Sequence, residues 1–185
     1  MRRDLLPIVN DELEWNDDKD KKYKAAYFEK YKNVWHHGDF AKITNNGGFI
    51  IFGRSDTTLN PGGVRLGTAE IYNVVEEFAE IQESIVIGQT WENDIRIILF
   101  IVLNEGYSLT EDVKKKIKKA IKSKASPRHV PSKIISISEI PKTKNGKLVE
   151  LAVKQIIEGE TIKNLEALAN PGSLKQFKNI KELNE

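Results

Sequence analysis

Lys147 closes the stretch Pro141-Lys142-Thr143-Lys144-Asn145-Gly146-Lys147, directly after a glycine. A cation at the tip of a tight turn can be carried up to the charge that builds on a transferred phosphoryl group and stabilise it there. A solvated turn lysine is the plainer account of the same residues. Asp39 follows Gly38 in Trp35-His36-His37-Gly38-Asp39-Phe40, and its two oxygens can accept both hydroxyls of a ribose. A turn-capping carboxylate is the simpler alternative. Arg54 and Asp56 lie two apart after an apolar strand and therefore share a face. The fixed donor fork of Arg54 suits phosphate or ribose oxygens, and Asp56 falls where the backbone must bend if two domains rotate. A surface ion pair explains both equally well. Gly62-Gly63 permits a positive φ or a close approach of main chain to a ligand, and Arg65 can meet an anion near the start of the helix that follows. No G-x-x-x-x-G-K-[ST] phosphate loop occurs, so a tight turn is the default reading of this stretch. His36 and His37 are adjacent and point to opposite faces of a strand, so they do not chelate one ion, and no metal ligand set is assigned.

These residues depend on elements legible from pattern. Trp15 to Lys24 is charged and reads as a surface loop. Asn45-Asn46-Gly47-Gly48 before Phe49-Ile50-Ile51-Phe52 predicts a β-hairpin without a core of its own. Residues 1–56 thus read as the incomplete end of a larger domain. From Thr57 the signals are those of a self-sufficient unit. Thr68 is expected to cap a helix whose inward face is Ile71, Val74, Val75 and Phe78. Strands follow at Ser84 to Ile87 and Ile95 to Leu103, the second an apolar run suited to the middle of a sheet. Thr110 caps a further helix with Val113, Ile117, Ala120 and Ile121 buried and its lysines outside. Lys133 to Ser138 is a strand, Asn145-Gly146 a turn, and Leu148 to Ile157 a last helix ended by Gly159. The fold class is α+β: residues 57–185 form a small domain with helices packed on a three-stranded sheet, preceded by the hairpin.

Composition excludes several classes. There is no cysteine among the 185 residues, which removes disulfides, thiolate zinc sites and cysteine nucleophiles. The longest apolar run, Ile97 to Leu103, falls far short of the roughly 20 residues that span a bilayer. No membrane association and a cytoplasmic location are expected. Net charge is only +2, yet Lys114 to Lys133 carries eight lysines and one arginine without an acidic residue. That local patch is more informative than the total.

Taken in order, VWHHGDF, GRSDTTLNPGGVRLGTAEIYNVVE, SPRHVPSKI, IPKTKNGKLVELAVKQIIEG and the tail LANPGSL resemble the carboxyl-terminal part of the acyl-adenylate-forming family, the acyl-CoA synthetases. The resemblance runs from about Tyr23 to Leu183 and is closer to the acetoacetyl type than to the acetyl or propionyl types. It implies a ligase that joins a carboxylate to ATP, releasing pyrophosphate, then rotates a small lid domain and passes the acyl group to CoA, leaving AMP. By motif it implies Lys147 as the adenylation lysine, a target of regulatory acetylation in the family, with Asp39 and Arg54 on ribose and phosphate. It makes Asp56 the hinge, Arg65 a phosphate contact, and Gly62-Gly63 the lining of the pantetheine tunnel. It sets Lys118, Lys119 and Lys122 near the 3′-phosphate of CoA. Mg2+ is implied by the family, with no ligand identified in this sequence.

The family's Ser/Thr/Gly-rich phosphate loop and acyl-pocket walls do not occur in this sequence. The expected activity is therefore that of a lid and hinge, without turnover unless an amino-terminal adenylation domain or partner chain completes it. Two other readings stay open: an inert remnant, and a small basic nucleic-acid-binding module using Lys114 to Lys133. The second is disfavoured because the strands show no paired aromatic positions for base stacking.

Overall fold

The computed structural model describes residues 20–162 and 165–184. It divides between Gly38 and Asp39 into two compact units. The described part of the first contains a short helix, α1 (Lys21–Tyr27). The surface loop expected to run to Lys24 is thus already helical from Lys21, while residues 15–19 lie outside the described residues. The reason is local: Lys and Ala favour helix, and Tyr23 and Tyr27, one turn apart, meet with ring centres at 5.3 Å. Tyr27 also stacks on Trp35 at 5.7 Å.

The second unit opens with the hairpin β1 (Asp39–Ile43) and β2 (Phe49–Arg54), antiparallel, with a register shift between Phe40 and Ala41. Its turn is closed by Gly48 N–H donating to Thr44 Oγ1 at 3.0 Å, with Gly47 at φ 78°. Gly67 lies against Phe52 so closely that any Cβ there would overlap the Phe52 carbonyl, which explains the glycine by close approach. By contrast, Ile43, Phe49 and Ile51 are each at least 60% exposed.

The main sheet has the order β3-β4-β5, formed by β3 (Ile81–Trp91), β4 (Asp94–Leu103) and β5 (Lys133–Ser136). β3 and β4 are antiparallel and joined by Glu92-Asn93, both at positive φ as a two-residue hairpin turn requires. β5 runs parallel to β4, reached through α3 (Glu111–Lys124). β4 is therefore central, as its apolar run implies. Its alternate residues feed two interiors. Ile97, Leu99 and Ile101 pack with Ile71 and Val75 of α2 (Thr68–Val75) and with Ile117 and Ile121 of α3. Ile98, Phe100 and Val102 pack with Ala152 and Val153 of α4 (Glu150–Ile157) and with Leu174, Phe177 and Leu183 of the tail. This is an α+β unit with helices on a three-stranded sheet.

Several local expectations need correction, among them the end of β5, which falls at Ser136 rather than Ser138. Thr68 is the first residue of α2 rather than its cap: Gly67 occupies the cap position, and no side-chain cap bond is made. Thr110 does cap α3, accepting from Val113 N–H at 3.3 Å. β3 runs well beyond Ser84 to Ile87, because its pairing with β4 continues to the turn. The last helix starts at Glu150 rather than Leu148, since Lys142 and Leu148 still bridge as extended chain.

Candidate functional site

Antiparallel pairing sets Asp39, at the start of β1, opposite Arg54, at the end of β2. Among the described residues Arg54 faces two carboxylates: Nη1 is 3.9 Å from Asp39 Oδ1, while Nε and Nη2 donate to the two oxygens of Asp56 at 3.3 and 3.2 Å. The Arg54 carbonyl accepts from the Thr58 hydroxyl at 2.8 Å, which fixes the bend leading away from the hairpin. The expectation that Arg54 and Asp56 share a face is met, and Asp39 joins them. Asp39 is the most covered of the three side chains, 26% exposed against 53% for Arg54 and 46% for Asp56. An exposed ion pair of this kind contributes at most about 1 kcal/mol, so the cluster is available to rearrange around a polar ligand.

Gly62 and Gly63 sit at φ 58° and 76° with open space where a Cβ would be. They are glycines for conformation, not for close packing. Leu59 and Leu66 exchange main-chain bonds at 3.0 and 2.8 Å and close the loop at its base. Its tip is held from a distance that local sequence does not reveal: Gly62 N–H donates to both oxygens of Asp94, at 2.8 and 3.1 Å. Asp94 also accepts from Ile95 N–H at 2.7 Å. These bonds, Gly62's first, hold the Asp94 carboxyl below its ordinary value of 3.8. Because the folded-state pKa is depressed, the anchor is fully present above the unfolded value and is lost as pH falls through the folded one. Asp94→Ala is expected to speed amide exchange at Gly62 at neutral pH, and in the unaltered chain acidification below the ordinary carboxylate range is expected to lower the protection of that amide relative to its intrinsic rate. Equal exchange in both proteins at neutral pH would remove Asp94 as the anchor. Arg65 is exposed and pairs with no acidic side chain among the described residues.

Lys147 ends a laced turn. Thr143 N–H donates to the Lys147 carbonyl at 2.9 Å, Gly146 N–H to the Thr143 carbonyl at 2.8 Å, and Lys147 N–H to Thr143 Oγ1 at 3.1 Å. Gly146 supplies the positive φ, 76°. The Lys147 side chain is exposed and ion-pairs with nothing among the described residues. No hydrogen bond or ion pair joins it to Asp39, Arg54, Asp56 or Arg65 among those residues.

Of the lysines set near a CoA phosphate, Lys118 lines a groove of about 530 Å3 beside β5, together with Lys114, Lys115 and Lys133. Lys118 Nζ donates to the Ser132 carbonyl at 3.1 Å. Lys119 and Lys122 do not line that groove. The three-stranded sheet offers no stacking platform among the described residues: Phe100 is buried, and the Trp91 ring is covered by the Arg96 guanidinium at 3.8 Å. Among the described residues no group of three or more His, Cys, Asp or Glu converges on a metal position. No described helix is long and apolar enough to cross a membrane.

Comparison with known proteins adds an independent observation. Residues 70–147 match the family described as AMP-binding enzyme C-terminal domain. The chain is 57% identical over 169 residues to an acetoacetyl-coenzyme A synthetase of Rhizobium meliloti, covering 91% of this chain and 26% of the relative. It is 46% identical over 173 residues to the acetoacetyl-CoA synthetase of Rattus norvegicus, with 92% and 26% covered. Among solved structures it superposes on acetoacetyl-CoA synthetase from Streptomyces lividans with a TM-score of 0.83 and 36% identity, covering 92% of this chain and 26% of that one. The chain thus spans about a quarter of the length of the relatives it matches.

Proposed function

From the match of residues 70–147 to the AMP-binding enzyme C-terminal domain, we propose that the chain is the lid and hinge of an ATP-dependent acid–CoA ligase that acts on acetoacetate. In that reaction a carboxylate oxygen attacks the α-phosphorus of ATP, and the bond to pyrophosphate breaks. The CoA thiol then gives up its proton and attacks the acyl carbonyl, and AMP leaves. ATP and CoA are the substrates of this reading, and acetyl- or propionyl-CoA formation is the neighbouring alternative. The observation that carries it is Lys147: an exposed cation without a partner among the described residues, on a turn held by main-chain and Thr143 hydrogen bonds. Such a group suits charge developing on the attacked phosphate.

Asp39 and Arg54 serve the ribose and phosphates, with Arg54 leaving Asp56 for the ligand. Asp56, at the bend after β2, is the hinge; Arg65 meets phosphate in one conformation, and the Gly62-Gly63 loop lines the pantetheine path in the other. Lys118, with Lys119 and Lys122 outside the groove, serves the 3′-phosphate of CoA. Residues 1–56 form the end of the adenylation domain and 57–185 the lid. The uncovered apolar side chains of β1 and β2 support this division, because the adenylation domain would bury them. Mg2+ finds no ligand set among the described residues, and no step here is routed through it. The working location is the cytoplasm. The test mixes the chain with the amino-terminal domain of an acetoacetyl-CoA synthetase and follows AMP release with acetoacetate, ATP and CoA. Release above that of the amino-terminal domain alone is expected; no gain defeats the proposal.

A further inference from the structure

The Lys147 turn is fastened at both ends to the same strand. On the entering side, the Lys142 ammonium pairs with Glu83 of β3, and Lys142 N–H donates to Asn170 Oδ1 at 2.9 Å. On the leaving side stands Tyr72 of α2. Its hydroxyl accepts from Val86 N–H of β3 at 3.0 Å and donates to Glu150 Oε1, on the first residue of α4, at 2.5 Å. One phenol thereby joins α2, β3 and the start of α4. Burial first, then the charge of Glu150 and the bond to it, push the Tyr72 pKa well above its ordinary value, against a smaller opposing effect from Val86. At neutral pH the phenol therefore keeps its proton, which is what a donor to a carboxylate requires. Glu83 and Val86 lie three residues apart on β3, so the segment carrying Lys147 leaves the sheet and returns to it at closely spaced anchors. The groove between them, about 340 Å3, is lined by Tyr72, Glu83, Lys142, Gly146 and Leu148.

We propose that Tyr72 and Glu150 are positioning residues that hold the Lys147 turn in one place on the lid, so that Lys147 arrives at the adenylation site already ordered. The proposal rests on the reading of Lys147 given above. A carboxylate left without Tyr72 is also a competing partner for a nearby ammonium, so the phenol both fixes α4 and occupies Glu150.

The test has two arms. In the full 185-residue chain, amide exchange at Gly146 and Lys147 is expected to speed up about tenfold in Tyr72→Phe and in Glu150→Ala, with the Leu99 and Phe100 amides of β4 unchanged. Glu150→Gln keeps the acceptor and is expected to stay near the unaltered rate. Glu150→Ala carries this arm if Tyr72→Phe, which strips Val86 N–H of its acceptor, fails to fold. In the chain assembled with the amino-terminal domain, the two loosening variants are expected to slow pyrophosphate exchange about tenfold, with thioester formation from preformed acyl-adenylate unchanged. Unaltered exchange at the turn overturns the proposal whatever the activity, as does acceleration shared equally by β4. Slowing of both half-reactions alike also overturns it. A loosened turn in a protein whose adenylation is indifferent to Lys147→Ala overturns instead the reading of Lys147.

Discussion

Lys147→Ala, in the chain assembled with the amino-terminal domain of an acetoacetyl-CoA synthetase, is expected to slow acyl-adenylate formation by about 10²–10³-fold, the loss typical of removing one preorganised electrostatic contact from a transition state. The second half-reaction, thioester formation from preformed acyl-adenylate, is expected to hold its rate, because in the proposed reading the lid presents other residues to that step. Pyrophosphate exchange measures the first and single-turnover release of AMP the second. The lysine is suited to this role by what it lacks: among the described residues it has no carboxylate to give up, whereas Lys142, five residues earlier, is engaged with Glu83. Lys147→Arg keeps the charge but replaces a compact ammonium by a planar fork, and partial activity is expected. Full adenylation by the alanine variant would remove Lys147 from the chemistry.

Phe177→Ala is expected to cost about 3–5 kcal/mol of stability, the range for deleting a buried aromatic ring. Phe177 is 1% exposed and meets Phe100 of β4 edge-on, with ring centres 5.0 Å apart at 81°. The cavity opens beside Phe100 of the middle strand, within a cluster of buried side chains that includes Ile85, Ile98 and Val153, and closely packed interiors relax only partly into such a gap. Thermal unfolding should move down by on the order of 10 °C. Denaturant titration yielding a loss below about 1 kcal/mol would mean that the tail is not part of the core.

That the tail belongs to the core at all was invisible in its sequence. Leu174, Phe177 and Leu183 fall into 3-10 turns, whose spacing matches neither the helical nor the strand period used to find the other elements. α1 was hidden for the opposite reason: charge and turn-forming neighbours masked a helix stabilised by aromatic pairs. The elements read correctly are those with local causes. The apolar run of β4 announced a central strand, Thr110 announced the start of α3, and Asn45 to Gly48 announced the hairpin. The same division governs the site. Arg54 and Asp56 are two residues apart, and their spacing suffices to pair them. The Asp94 anchor of Gly62 spans 32 residues and the Tyr72–Glu150 bond 78, so nothing in local spacing relates the partners. The resemblance groups Lys119 and Lys122 with Lys118, whereas the groove beside β5 brings Lys118 together with Lys114 and Lys115.

The hairpin of β1 and β2 has a further consequence for handling the molecule. Among the described residues it is a two-stranded ribbon, so both of its strands are edges there, and Phe49-Ile50-Ile51-Phe52 is an uncharged, proline-free β-former with Ile50 and Ile51 exposed. Such a segment is a template for strand addition by an identical segment, and repeated addition builds a fibre. Concentrated solutions of the isolated chain should therefore self-associate through residues 49–52, and a lysine at Ile51 should keep them clear.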